Sequence, residues 1–118
     1  MTHVLIVEDE ESLADPLAFL LRKEGFEASV INDGAGALAA FDRTNPDIVL
    51  MDLSMPVLDG VEATRRIATE LPDVRVLVLT MHDDPGRTRA AIAAGASGYL
   101  TKGTSFAEVL QTIRLVAS

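Results

Sequence analysis

Two hydrophobic rhythms alternate along the chain. Short apolar runs fall at VLIV (4–7), SVI (29–31), DIVLM (47–51), VRVLVLT (74–80) and GYL (98–100). The first three are continuous rather than alternating, as parallel strands covered by helices on both faces must be. The segments between them carry helical spacing. Leu13, Leu17, Leu20 and Leu21 share one face of a first helix. Ser12 and Asp15 read as its capping pair, with Pro16 in the first turn, where a missing N–H costs least. A second helix centres on Leu38 and Phe41 and closes at Asn45-Pro46. A third follows Asp59 as N-cap, carries Val61, Ile67, Ala68 and Leu71 as apolar positions, and stops before Pro72. The fourth opens at Asp84-Pro85 and ends at Gly95. It is short and rich in alanine, so it is expected to be the least firmly anchored. The last begins with the capping pair Ser105 and Glu108 and turns Phe106, Val109, Leu110, Ile113 and Val116 inward.

Strict strand–helix alternation predicts an α/β fold: a doubly wound, five-stranded parallel sheet with five helices and right-handed crossovers, in the common order 2-1-3-4-5. Nothing reads as a linker or repeat, so residues 1–118 are expected to form one domain. That length suffices to bury a core without staples. The composition is that of a globular chain, 48% hydrophobic, 24% charged and 4% aromatic. Cysteine is absent, which excludes a disulfide framework and any thiolate metal site and fits a reducing compartment. A net charge of −8 disfavours direct contact with nucleic acid or an anionic membrane and suits a divalent cation. The first apolar run meets Glu8 too early for a signal peptide, and no run has the length of a membrane span. A cytoplasmic, soluble domain is the expectation.

In such a sheet, ligands bind outside the carboxyl ends of the strands, where the strand order reverses. Glu8, Asp9, Glu10 and Glu11 follow the first strand, Asp52 ends the third, Thr80 ends the fourth, and Thr101-Lys102 follows the fifth. Each alone has an ordinary explanation: an acid at a helix start, a turn aspartate, a β-branched strand residue, a solvated lysine. At four strand ends of one sheet edge, all those explanations would have to hold at once. Clustered carboxylates raise one another's pKa unless a cation enters, and hard oxygen donors suit Mg²⁺ or Mn²⁺. One carboxylate can then act as a nucleophile towards phosphorus, with a lysine and a metal stabilising the equatorial oxygens.

With these residues in place, the sequence resembles the receiver domains of two-component response regulators. The resemblance covers essentially the whole chain and is carried by VLIVEDE (4–10), IVLMDLSMPVLDG (48–60), VLVLT (76–80) and AGASGYLTKG (95–103). It implies a flavodoxin-like fold and a phosphorylation-activated switch, not an enzyme acting on other substrates. Asp52 would be the phospho-acceptor. Glu8, Asp9, Asp52 and the backbone carbonyl of Ser54 would hold Mg²⁺, or Mn²⁺ in its place. Thr80 would follow the phosphoryl group, Lys102 would pair with it, and Tyr99 would be the aromatic switch residue.

The implied partners are a sensor histidine kinase and a second copy of the chain, docking through the fourth helix, fifth strand and fifth helix. DNA would be reached only through an output domain outside this chain. Lys102 is followed by Gly103 where many receivers have proline, so a cis peptide is not assumed there. VEDEESLADPLAFLLRKEGFEA resembles receivers joined to winged-helix outputs, whereas AGASGYLTK with Lys-Gly resembles those joined to helix-turn-helix outputs. A natural mosaic and an engineered chimera are both open. Two rival functions remain. One is a small Mg²⁺-dependent phosphatase with Asp52 as nucleophile, though Ser54 stands where such enzymes carry a second acid. The other is a degenerate receiver serving only as a dimerisation module.

Overall fold

The computed structural model describes residues 2–55, 58–81 and 84–117, apart from the side chains of Gly34, Ala35, Leu38 and Asp42. Strands and helices alternate throughout: β1 His3–Val7, α1 Glu11–Lys23, β2 Glu27–Ile31, α2 Gly34–Thr44, β3 Ile48–Asp52, α3 Gly60–Glu70, β4 Arg75–Thr80, α4 Pro85–Ala94, β5 Gly98–Thr101 and α5 Phe106–Ala117. The five strands form one parallel sheet in the order β2-β1-β3-β4-β5, as the alternation predicts. None of the described helices is long and apolar enough to cross a membrane.

The pleat sorts the core into two layers, because successive strand residues point to opposite faces. Val4, Ile6, Ile48, Leu50, Leu77, Leu79 and Leu100 pack against Ala14, Ala18 and Leu21 of α1 and Val109 and Ile113 of α5. Leu5, Val7, Val49, Met51, Val76 and Val78 pack against Ala37, Ala40 and Phe41 of α2, Ala63 and Ile67 of α3 and Ala91 of α4. All five residues of β3 are buried, which is why its run is continuous rather than alternating.

Most predicted caps form. Asp59 accepts from the Val61 and Glu62 amides at 3.0 and 3.2 Å. Asp84 accepts from Arg87 N at 3.2 Å, with Pro85 as the first helical residue. Ser105 Oγ accepts from Glu108 N at 3.3 Å. Asn45 closes α2 with φ 47°, a left-handed conformation that Asn tolerates better than most residues. The side chain of Leu38, on which the sequence reading centres that helix, lies outside the described residues.

α1 departs from expectation in two ways. It begins at Glu11, with Glu10 as an N-cap that makes no side-chain cap bond, so Ser12 and Asp15 lie inside the helix and do not cap it. The acidic residues themselves form the helix start, where negative charge is favoured, and only residues 8–10 separate β1 from α1. Pro16 therefore falls beyond the first turn, where the Ser12 carbonyl loses its i+4 partner. The buried stripe is Ala14, Ala18 and Leu21. Leu17 packs at its edge, and Leu20 is 37% exposed. Small residues bring the helix close to the sheet and leave the larger leucines to flank the contact.

Gly95 ends α4 with φ 121°, and a Cβ there would lie 2.5 Å from the Ala68 Cβ. Both the backbone conformation and the close approach of α3 select glycine. Gly95→Ala is expected to destabilise the domain by about 1–3 kcal/mol, read as a lower urea midpoint at unchanged slope. An unchanged midpoint would show that neither constraint operates.

Candidate functional site

The parallel register brings the chemistry-bearing residues to one edge. Val7 pairs with Met51, so Glu8 follows β1 beside Asp52 at the end of β3. Asp52 pairs with Leu79, and Thr80 with Thr101. Backbone bonds continue past the strand ends: Glu8 N donates to Ile31 O, Leu53 N to Leu79 O, and Lys102 N to Thr80 O, at 2.9–3.1 Å. These bonds fix the starting points of the loops from which the functional side chains project.

Asp52 is fully buried and its two oxygens are used differently. Oδ1 accepts from the Ser54 amide at 2.9 Å and from the Ser54 hydroxyl at 2.7 Å. Oδ2 lacks a hydrogen bond but lies 3.1 Å from Lys102 Nζ, a close ion pair without hydrogen-bond alignment. Glu8 is equally buried: Oε1 accepts from Glu10 N at 3.2 Å, and Oε2 has no partner. Lys102 Nζ also lies 3.4 Å from Glu8 Oε1 and 3.8 Å from Glu10 Oε1, and donates to Ser54 Oγ at 3.1 Å. One ammonium thus serves three carboxylates.

Burial pushes the Glu8 carboxyl up to about 7, and the Asp52 charge pushes the same way, against its bond from Glu10 N and the pull of Lys102. Burial works against the charged Lys102, yet Asp52, Glu8 and Glu10 together outweigh it and raise its pKa. The pair of acids is therefore under-compensated by one lysine. Oxygens of Glu8, Asp9 and Asp52 all come within 4.8 Å of one another. Hard oxygen donors on three acids and a buried Glu8 Oε2 with no hydrogen-bond partner fit Mg²⁺ or Mn²⁺.

Thr80 and Tyr99 sit apart from this cluster. Strand alternation puts Asp52 on the α1/α5 face with Ile48 and Leu50, and Thr80 on the opposite face with Val76 and Val78. The Thr80 hydroxyl donates to Met81 O at 3.1 Å and accepts from the Thr88 hydroxyl at 3.0 Å. Tyr99 is 56% exposed, beside a cleft of about 660 Å³ whose lining includes Thr80, Met81, Thr88 and Ile92. The structure thus gathers Glu8, Asp9, Asp52, Ser54 and Lys102 and leaves Thr80 and Tyr99 on the α4 side.

Sequence reasoning missed two contributors. Besides the backbone carbonyl that the resemblance points to, Ser54 holds Asp52 through its amide and hydroxyl; the Asp-x-Ser spacing, typical of a side chain bonding the backbone two residues on, signals this. Arg87 Nη1 donates to Leu53 O at 2.6 Å, a contact across 34 residues with no local signature.

The model of the response regulator receiver domain matches residues 4–114. Sensory transduction protein RegX3 of Mycobacterium tuberculosis is 50% identical over 116 residues, covering 98% of this chain and 51% of its own length. Transcriptional regulatory protein DegU of Brevibacillus brevis is 36% identical over 118 residues, with 98% of this chain and 50% of its own length covered. The chain spans about half the length of these curated relatives. A single relative aligns through both halves of the sequence, so the mixed subfamily features require no junction between them. A DNA-binding response regulator of the LuxR family from Staphylococcus aureus superposes with a TM-score of 0.91 at 27% identity, covering all of both chains. Chemotaxis protein CheY4 of Vibrio cholerae superposes at 0.88 with 29% identity over 98% of each chain. With its flavodoxin-like sheet and acidic pocket, the chain belongs to the response regulator receiver domains, the phosphorylation-activated switches of two-component signalling.

Proposed function

We propose that Asp52 is the phospho-acceptor of this receiver and that a sensor histidine kinase is the donor. Asp52 Oδ2 would form the new O–P bond as the P–N bond of a phosphohistidine breaks and the imidazole leaves with the electron pair. The observation that carries this is the asymmetry of Asp52: Ser54 holds Oδ1, while Oδ2 is free of hydrogen bonds and faces Lys102. A carboxylate fixed by one oxygen presents the other in a constant direction, which is what in-line transfer requires. Lys102 places positive charge where the phosphoryl oxygens arrive. Glu8, Asp9, Asp52 and the Ser54 carbonyl would hold Mg²⁺ or Mn²⁺, which when bound supplies further positive charge against those oxygens.

The new group adds charge and acceptor oxygens at the sheet edge. Thr80 would turn towards it and Tyr99 would turn inward, reshaping the face of α4, β5 and α5. That face exposes Met81, Ile92, Tyr99 and Leu115, at 43–69%, apolar groups suited to a second copy of the chain or to an output domain. The negative charge keeps direct DNA contact out of this part of the protein. The chain would assist only its own phosphorylation and hydrolysis; Ser54, engaged with Asp52, supplies no second acid for a phosphatase.

Incubation with a small-molecule phosphodonor and Mg²⁺, followed by intact-mass measurement, is expected to show one phosphoryl group on the wild type and none on Asp52→Asn. Equal labelling of both proteins would refute the assignment. A second expectation concerns pH. Without a divalent cation, the folded domain retains on Glu8 a proton that the unfolded chain releases near 4.5, so this stabilising contribution is complete below that pH and is lost as pH rises through about 7. Wild-type stability in a chelator should therefore decline relative to Glu8→Gln as pH is raised from about 5 to about 8. At the upper pH, Mg²⁺ should stabilise the wild type more than the variant. Parallel pH profiles in urea titrations would count against the acid pair.

A further inference from the structure

The resting position of Thr80 is held from α4. Its hydroxyl proton points to Met81 O, and its oxygen accepts from Thr88, the single donor to that oxygen among the described residues. Thr88 is itself well placed. The first turn of α4 is capped by Asp84, and Arg87, adjacent to Thr88, bonds Leu53 O at 2.6 Å. The start of α4 therefore grips both chain segments beside the phospho-acceptor, the loop after β3 through Arg87 and the end of β4 through Thr88.

From these contacts we infer that Thr88 is a positioning residue that holds the Thr80 hydroxyl away from Asp52 and sets how readily the switch leaves its resting state. The inference rests on Asp52 as phospho-acceptor and on movement of Thr80 towards the phosphoryl group. The Thr88 hydroxyl has one proton and two acceptors at the same 3.0 Å distance, Thr80 Oγ1 and Asp84 O. When Thr80 turns away, that proton can settle wholly on Asp84 O, within the helix. Release therefore strands no buried donor, which is what a readily opened catch needs. Thr80 itself exchanges a neutral partner for charged phosphoryl oxygens, to which hydrogen bonds are stronger. The strand pleat gives the arrangement its direction: a side chain on the α4 face of β4 meets Thr88 first.

The test compares rates of phosphoryl uptake from acetyl phosphate in Mg²⁺, followed by intact mass, in the wild type, Thr88→Val and Thr88→Ser. Removal of the hydroxyl in Thr88→Val is expected to speed uptake by up to about fivefold, the equivalent of one neutral hydrogen bond of ~1 kcal/mol. Thr88→Ser, which keeps the hydroxyl, should restore the wild-type rate. In a Thr80→Ala background, Thr88→Val should change nothing, because the group it releases is gone. Thr88→Ala removes the same hydroxyl and replaces the valine variant if that protein does not fold. Uptake at the wild-type rate in the folded hydroxyl-free variant would overturn the inference. So would equal acceleration in the Thr80→Ala background, which would indicate general loosening of α4. Absence of any adduct in the wild type would instead overturn Asp52 as acceptor.

Discussion

Two carboxylates buried side by side at the ends of adjacent strands govern this site. Glu8 and Asp52 are both inaccessible to solvent and share one lysine. Burial raises the Glu8 pKa first and the Asp52 charge adds to it, and the single Lys102 ammonium only partly offsets the two. The site thus favours a second cation, and after that a group that binds between cations. A pocket satisfied by internal pairing alone would have no such demand.

The scaffold that imposes this strain is a fully buried sheet. β3 lies between β1 and β4 with both its faces covered, so Asp52 cannot relieve its charge by moving into water. Ser54 then removes the remaining freedom by holding one oxygen through two bonds. Rigidity at Asp52 contrasts with the α4 side. There, apart from Ala91 and Ala94, few side chains are buried, and the ties to the sheet edge are polar: Arg87 to Leu53 O and Thr88 to Thr80. Polar ties can be exchanged for other partners at small net cost, whereas packed apolar contacts cannot. On the proposed reading, chemistry and response would lie on different faces of one sheet, separated by the alternation of a single strand pair.

Much of this was legible from the order of residues. The five strands follow from apolar runs of the right length, and the caps at Asp59, Asp84 and Ser105 follow from local hydrogen-bonding chemistry. Both signals need only near neighbours in sequence. At the start of α1 two local signals compete. Ser12 and Pro16 fit a later helix start, yet the acidic residues after β1 already begin the helix, and its contact stripe is built from Ala14, Ala18 and Leu21 rather than from the four leucines alone. How closely a helix approaches a sheet depends on side-chain size at the contact, which a count of hydrophobic positions does not register.

By itself the sequence determined the strand–helix alternation, the parallel sheet order and the acids, hydroxyl and lysine gathered at one edge, because each depends on period, spacing and topology. Only the tertiary structure decided how those groups are used. It set Asp52 Oδ2 against Lys102 without a hydrogen bond, tied Lys102 to three acids, and turned Thr80 to Thr88 instead of to the pocket. These outcomes depend on side-chain direction and on contacts across 34 or more residues, such as Arg87 with Leu53 and Lys102 with Glu8. No local pattern encodes such contacts, since they arise only when the strands are in register and the helices are packed.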